Sequence, residues 1–489
     1  MSKAIVWTIA GSDSSGGAGI QADLQTFRAL GVHGCSVVTA ITAQNTHEAS
    51  VHYPQFETIA EQIDVLQNDF PPNAIKIGML GSSDALASIV NFLKQYADSV
   101  ILDPVMIASS GKRLFAAEPG EYIARLATLF PYVSLFTPNI PECEMLLNRR
   151  ISSLSDMEAA ARQLLSLGLR SVYIKGGHLD QENACHDFWT NGKESFWLSG
   201  QRYEAKNYRG TGCTFSAAVT ACLASGYELK DAIVIARMYV SKAIRLAWHW
   251  DMKTAFLCHE GWPEDGIDLP YLAHNPVLET PQPYPDCGPE KLGLYPVVDN
   301  GEWLRRLLPA GINTVQLRIK DLNGYALEKE IRQAIDFARQ YQARLFINDY
   351  WELAIAHQAY GVHLGQEDLQ SADLRAIRTA GLRLGISTHC YYEVARAHAC
   401  RPSYIACGPV YATTSKLMPF PPQGVNNLQR WTKTLSQYAV VAIGGINRGN
   451  IKDIQQTRVN GIAMISAITQ ADDPVQAACE FLAGMDTRQ

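Results

Sequence analysis

In Arg209-Gly-Thr-Gly-Cys-Thr-Phe-Ser216 two glycines flank a threonine and a cysteine follows directly. Gly210 and Gly212 strip side chains from both sides of Thr211, so successive backbone N–H groups can turn inward as a nest for an anion. From Thr214 the residues are apolar at helical spacing (Phe215, Ala217, Ala218, Ala221, Cys222). The nest therefore sits on the positive end of a helix, where phosphate is favoured. Cys213 falls in the first turn, and the same field is expected to lower the pKa of its thiol.

Other chemistry-bearing residues follow β-rich runs in the first half. They are the loop Gly11–Gly19 leading to Asp23, Gln44 in Thr42-Ala43-Gln44-Asn45-Thr46, Asp103-Pro104-Val105-Met106, Asn139-Ile140-Pro141-Glu142 and Lys175-Gly176-Gly177-His178. The amide of Gln44 suits the donor–acceptor edge of an aminopyrimidine. Asn139 and Glu142 suit a hydrated Mg2+ beside nucleotide phosphates, and Lys175 adds a cation next to bare backbone.

The second half carries a different set. Gln316-Leu-Arg318-Ile-Lys320, Asn348-Asp349, Gly365-Gln-Glu-Asp368, Ser387, Ala412-Thr413-Thr414-Ser415-Lys416, Gly444-Gly445 and Ile465-Ser466 each follow a short apolar run. Arg318, Lys320 and Lys416 supply positive charge for a pyrophosphate. Asp349 and Asp368 can share a Mg2+, which prefers carboxylates plus substrate phosphate oxygens. Gly445 and Ser466 stand where a barrel of alternating strands and helices binds a separate phosphate. One pyrophosphate with metal and one monophosphate imply displacement of pyrophosphate by a phosphorylated nucleophile.

The elements that must position these groups read clearly. Up to about residue 250, candidate strands at 4–10, 36–41, 74–78, 99–103, 133–136 and 171–175 alternate with amphipathic helices. Such alternation predicts a mainly parallel sheet covered on both faces, with ligands beyond the carboxyl ends of its strands. Asn191-Gly192 predicts a hairpin at the sheet margin. From Leu292, eight strand–helix units follow, with strands near 292–298, 313–319, 344–347, 360–364, 383–386, 403–407, 438–443 and 460–464. Eight units in about 200 residues are the size of a compact (β/α)8 barrel. Between the halves, Pro276, Pro281, Pro283, Pro285 and Pro289 crowd together, so a proline-rich spacer is expected at 266–288.

At 489 residues, 47% apolar and net charge −6, the chain is a globular protein too long for one core. No basic patch suits nucleic acid, and no apolar run reaches the length of a membrane span. Ala4–Ala10 reads as a strand entering a loop, since a secretory signal needs a longer apolar core. Eleven scattered cysteines without a Cys-x-x-Cys pair fit a reducing cytoplasm.

On Ala10–Asp23, Gln44, Gly78-Met79-Leu80, Asp103–Val105, Asn139–Glu142, Lys175–His178 and Gly210–Thr214, residues 1–265 resemble hydroxymethylpyrimidine/phosphomethylpyrimidine kinases. The resemblance implies a ribokinase-like αβα sandwich and two ATP-dependent phosphorylations of 4-amino-5-hydroxymethyl-2-methylpyrimidine. It places Asp23, Gln44 and Met79 at the pyrimidine. Asn139, Glu142 and Lys175 would serve Mg-ATP, with Gly210, Gly212 and Cys213 as anion hole and base. A homo-oligomer through this half is expected, and a pyridoxal-type vitamin kinase is the alternative. Tyr208-Arg209 departs from the Thr-His usual in the family.

Residues 289–489 resemble thiamine-phosphate synthases on Gln316–Lys320, Asn348-Asp349, Val362–Leu369, Gly385–Ser387 and Ala442–Ile446. The resemblance implies a TIM barrel in which Gln316, Arg318, Lys320, Asn348, Ser387 and Lys416 bind the pyrimidine pyrophosphate. Asp349 and Asp368 would hold Mg2+, while Thr413, Thr414, Ser415, Gly445, Ile465 and Ser466 bind the thiazole phosphate. In the family, pyrophosphate departs from a stabilised pyrimidine-methyl cation that the thiazole nitrogen captures. A ligand-binding or thiazole tautomerase barrel is the alternative. The proline-rich loop 412–422 departs from the family pattern.

Overall fold

A computed structural model of the chain describes residues 3–44, 49–81, 83–96, 99–106, 115, 118–179, 184–203, 208–249, 255–413 and 421–486. Two compact units result: Met1–Pro263 with Asp268–Glu279, and Glu264–Ile267 with Thr280–Gln489.

The first unit contains strands β1 (Ile5–Asp13), β2 (His33–Gln44), β3 (Ala49–His52), β4 (Ala74–Ile77), β5 (Ser99–Leu102), β6 (Leu135–Phe136), β7 (Val172–Ile174), β8 (Ala184–Thr190) and β9 (Ser195–Gln201). A ribbon of β10 (Trp248–His249) and β11 (Ala255–Phe256) and a last strand β12 (Tyr271–Ala273) complete it. The large sheet runs β12-β9-β8-β7-β6-β5-β4-β1-β2-β3. Its centre, β2 through β7, is parallel, and both margins are antiparallel. Central parallel strands are covered on both faces, which is why β1 and β4 read as almost unbroken apolar runs. Thr8 and Asp13 in β1 and Lys76 in β4 are buried polar exceptions, and Lys76 is fully buried. The helix Thr211–Ala224 is apolar on all sides and buried from Cys213 to Cys222. It packs against the helices Gly19–Ala29 and Leu229–Arg245 and against β4 and β5, so its amino-terminal end arrives beside their strand ends.

In the second unit, β13 (Gly293–Val298), β14 (Thr314–Leu317), β15 (Arg344–Asn348), β16 (Gly361–Leu364), β17 (Arg383–Thr388), β18 (Tyr404–Cys407), β19 (Ala439–Ile443) and β20 (Gly461–Met464) form a closed parallel barrel. Closure comes from β13 pairing with both β14 and β20. Tyr295, Phe346 and Tyr404 fill part of the interior. Glycines make room for them: a Cβ on Gly361 would stand 2.6 Å from the Phe346 ring, and one on Gly385 2.1 Å from the Tyr404 ring.

The stretch expected as a spacer carries structure. Tyr271–Ala273 extends the first unit's sheet beside β9. Tyr284 and Cys287 are buried in the second unit, where the Tyr284 hydroxyl donates to the Leu374 carbonyl at 2.6 Å. Proline spacing marks the break in periodicity but does not register the apolar side chains between the prolines, which find cores on either side.

Candidate functional site

In the first unit the polar residues converge at the carboxyl ends of the parallel strands. Gly210 has a left-handed backbone (φ 77°) and caps the helix Thr211–Ala224. A Cβ there would stand 2.1 Å from the Gly17 carbonyl oxygen, so only glycine lets the Gly11–Gly19 loop close over the helix end. Gly212 is constrained from the other side, because its Cβ would meet Lys175 Nζ at 2.8 Å and Asp103 Oδ2 at 3.4 Å. The first-turn N–H groups of such a helix lack intrahelical partners and remain available to an anion.

Around the nest lie two lysine–carboxylate pairs. Lys175 Nζ is 2.7 Å from Asp103 Oδ1, and Ser216 Oγ is 3.4 Å from Asp103 Oδ2. Lys76 Nζ is 2.8 Å from Asp23 Oδ2, which also accepts the Thr8 hydroxyl at 2.6 Å. Asp23 and Lys76 are both fully buried, and Asp23 Oδ1 has no hydrogen-bond partner. Asp23 therefore presents no solvent-accessible face for a ring in this conformation, in contrast to the contact that the family resemblance implies. Its position holds Lys76 beneath the site instead.

The expected lowering of the Cys213 thiol is not met. Burial pushes it up to about 11, while Lys76 and the Gly19 N–H pull it down and Asp23 and Asp103 raise it. The helix field is present, but desolvation of the buried thiolate is larger. Asn139 and Glu142 form a reciprocal capping box at the start of the helix Ile140–Leu147, with side chain to backbone N–H at 2.9 and 2.8 Å. Glu142 is pushed up to about 7 by burial, against the attraction of Lys175 and with Asp103 adding repulsion. Its carboxyl thus sits between the Lys175 cation and the Asp103 carboxylate, next to the nest.

Met79 is buried with Ala40 against Val51 and Val105, an apolar wall at the ends of β2 and β4. Gln44 ends β2, paired with Ala49, while Asn45 and Thr46 lie outside the described residues. Beside the nest opens a cavity of about 280 Å3, lined by Lys175, His178, Tyr208, Gly212, Phe215 and Ile244 among others. Phe215, Val240 and Ile244 give it apolar walls, Lys175 stands at its Gly212 end, and Asp187, Arg202 and Arg237 add charge to its lining. The departing Tyr208 lines this cavity, whereas Arg209 turns to the Gly11–Gly19 loop and donates to Ser15 Oγ at 3.3 Å. Sequence reading missed Lys76 and the pairing role of Asp103. A lysine inside Ala-Ile-Lys-Ile was the available signal for the first.

In the barrel, Gln316, Asn348 and Ser387 lie near the carboxyl ends of β14, β15 and β17, with Arg318 and Lys320 just beyond β14. Lys320 pairs with Asp349, whose backbone is left-handed (φ 65°). Asp349 lies against Asp368; burial raises the Asp368 pKa first, and the Asp349 charge raises it further. Asp368 Oδ2 accepts the Gly365 N–H at 3.1 Å. Two repelling carboxylates with a lysine at one of them suit a hydrated Mg2+, which needs only one or two protein carboxylates. Among the described residues no group of three or more His, Cys, Asp or Glu forms a metal cage. Arg318 is half-buried and pairs with no described acid.

Gly444 and Gly445 follow β19 with left-handed backbones. A Cβ on Gly445 would stand 2.4 Å from the Ala412 carbonyl oxygen, so the glycine pair nests directly against the loop that follows β18. Ile465 and Ser466 follow β20, and Thr413 is the last described residue before Thr414, Ser415 and Lys416, which lie outside the described residues. Sequence reading missed Tyr295 and Tyr404 and gave His363, inside the Val362–Leu369 motif, no role of its own; the polar atoms of the three meet inside the barrel.

Comparison with known proteins separates the same two halves. A family model described as phosphomethylpyrimidine kinase matches residues 13–256, and one described as thiamine monophosphate synthase matches 294–468. The thiamine-phosphate synthase of Photorhabdus laumondii is 57% identical over 192 residues, 39% of this chain and 89% of that protein. An Escherichia coli O157:H7 thiamine-phosphate synthase is 56% identical over 194 residues, 40% of this chain and 92% of its own. Among solved structures, the pyridoxal kinase from Staphylococcus aureus in complex with pyridoxal is 30% identical with a TM-score of 0.50, over 56% of this chain and 98% of that one. No helix among the described residues is long and apolar enough to cross a membrane. The chain belongs to the phosphomethylpyrimidine kinase family through its first half and to the thiamine-phosphate synthase family through its second, and is a bifunctional transferase of thiamine biosynthesis.

Proposed function

We propose that residues 1–265 phosphorylate hydroxymethylpyrimidine and then its monophosphate at the expense of ATP, and that residues 289–489 couple the resulting pyrophosphate to thiazole phosphate. In the first site the acceptor ring lies between Gln44 and Met79, and Asp23 acts from beneath through Lys76. Cys213 takes the alcohol proton in the first transfer; the second acceptor is already an anion and needs no base. The N–H groups of Gly210, Gly212 and Cys213 hold the transferring phosphoryl group, whose charge must be neutralised more than attacked. Asn139, Glu142 and Lys175 serve the Mg2+ and phosphates of ATP, with the nucleoside in the adjoining cavity.

In the second site Gln316, Arg318, Lys320, Asn348, Ser387 and Lys416 hold the pyrimidine pyrophosphate. Thr413, Thr414, Ser415, Gly445, Ile465 and Ser466 hold the thiazole phosphate. Asp349 and Asp368 hold Mg2+, which when bound offsets charge on the departing pyrophosphate. The cations of Arg318, Lys320 and Lys416 do the same from the protein side, and no covalent nucleophile is required. The observation that carries this reading is the Lys320–Asp349–Asp368 cluster, drawn from the ends of three barrel strands to one mouth. It favours a synthase over a tautomerase or passive binding barrel. The cysteine content fits a cytoplasmic enzyme, and a homo-oligomer through the kinase half completes the reading.

Complementation tests the proposal. Cys213→Ala should slow thiamine phosphate formation from hydroxymethylpyrimidine but not from its pyrophosphate, whereas Asp349→Asn should still phosphorylate hydroxymethylpyrimidine but form no thiamine phosphate from the pyrophosphate. Mixing the two variants should restore the full sequence. Loss of both the kinase and the coupling activity in either variant would refute the division of labour. The likeness to a pyridoxal kinase favours a second acceptor, pyridoxal, at the same ring site. Competition between pyridoxal and hydroxymethylpyrimidine in the kinase assay decides it.

A further inference from the structure

Four barrel residues distant in sequence form a continuous hydrogen-bonded chain through the interior. The Tyr295 and Tyr404 hydroxyls are 2.8 Å apart, Tyr404 Oη is 2.7 Å from His363 Nδ1, and His363 Nε2 is 2.8 Å from Ser387 Oγ. The Gln316 side chain hydrogen-bonds to both phenols. The chain thus joins Gln316 to Ser387 across the barrel. Register explains how: Gly385 pairs with His363 on one side and Tyr404 on the other. With no side chain at 385, the two rings meet over it, stacked with centroids 5.7 Å apart.

We propose that His363 is a positioning residue for the coupling reaction: fixed by Tyr404, it donates from Nε2 to Ser387, so that the Ser387 hydroxyl is presented to the mouth as a donor. The direction follows from proton affinities. A phenol is a stronger acid than a neutral imidazole N–H, so Tyr404 donates to Nδ1 and the ring proton resides on Nε2. Burial pushes both phenols up and keeps them protonated donors. With one lone pair of Ser387 occupied by the imidazole, its O–H is left for an acceptor on the pyrimidine pyrophosphate, a ring nitrogen or a phosphate oxygen. A buried network of this kind holds direction only while every member is satisfied.

The inference rests on the reading that Ser387 contacts the pyrimidine substrate, and a double-mutant cycle separates the two. With the full chain, the pyrimidine pyrophosphate, thiazole phosphate and Mg2+, Ser387→Ala should lower kcat/KM for coupling by roughly 10-fold or more, the worth of one hydrogen bond to a charged or transition-state group. His363→Leu should cost a similar factor, whereas His363→Gln, which keeps an N–H near the Nε2 position, should recover most of it. In the Ser387→Ala background His363→Leu should cost less than about threefold, because its effect passes through Ser387. Losses that multiply in the double variant would overturn the relay and leave the Ser387 assignment standing. Full activity of Ser387→Ala would overturn the assignment and the relay together. Should His363→Leu fail to fold, Tyr404→Phe removes a single hydroxyl; it should slow coupling in the wild-type background and have no effect on Ser387→Ala, and equal losses in both backgrounds would refute the proposal.

Discussion

Raising the pH should accelerate the first phosphoryl transfer and leave the second nearly unchanged, because the two acceptors differ in whether they must lose a proton. If the Cys213 thiolate accepts that proton, its ionised fraction in the free enzyme sets kcat/KM for the alcohol. A thiol at about 11 is ionised in about one molecule per thousand at pH 8 and about one per hundred at pH 9. The first step should therefore gain close to tenfold per pH unit between about pH 7 and about pH 9.5. The monophosphate is already an anion across this range, so its phosphorylation should change by less than about threefold. Initial rates with hydroxymethylpyrimidine and with its monophosphate, at saturating Mg-ATP and constant ionic strength, give both profiles. Cys213→Ala should remove the slope of the first profile and lower that step by roughly 1000-fold or more at the alkaline end, so that it stays below the wild type down to about pH 7. A flat first profile in the wild type, or an unchanged slope in Cys213→Ala, would show that another group takes the proton.

Three further outcomes follow from the geometry. Lys76→Met strands the fully buried Asp23 carboxylate and should destabilise the kinase half by about 3–5 kcal/mol, whereas Lys76→Met with Asp23→Leu should recover most of that; urea denaturation followed by residual kinase activity measures it. Gly212→Ala would place a methyl 2.8 Å from Lys175 Nζ and should lower both kinase steps by about 100-fold while leaving coupling from the pyrophosphate unchanged. The raised Asp368 carboxyl must lose its proton to hold Mg2+, so the metal concentration for half-maximal coupling should climb as pH falls through that raised value. Asp368→Asn should raise it by about tenfold or more at neutral pH, as metal titrations of the coupling rate would show.

Much of the barrel was legible because each strand is short, apolar and followed by a polar group of definite chemistry. All eight predicted strands coincide with β13–β20 to within a few residues. The β8–β9 hairpin was equally plain from Asn191-Gly192. By contrast, β3 and β12 are short antiparallel margin strands whose pairing, not whose composition, makes them strands. Asp23 and Cys213 show where site reading ran out. Their residue types announced chemistry, but burial decides that Asp23 pairs with Lys76 and that the Cys213 thiol is raised. The relay from Gln316 to Ser387 left no local spacing to read. Its members sit on five strands and meet only when the barrel closes.

That one chain performs both halves of the synthesis is tested most directly by stoichiometry. Full-length protein with hydroxymethylpyrimidine, Mg-ATP and thiazole phosphate should release two ADP and one inorganic pyrophosphate for every thiamine phosphate formed. Phosphorylated pyrimidine accumulating without thiamine phosphate, or ADP released without either product, would contradict the account.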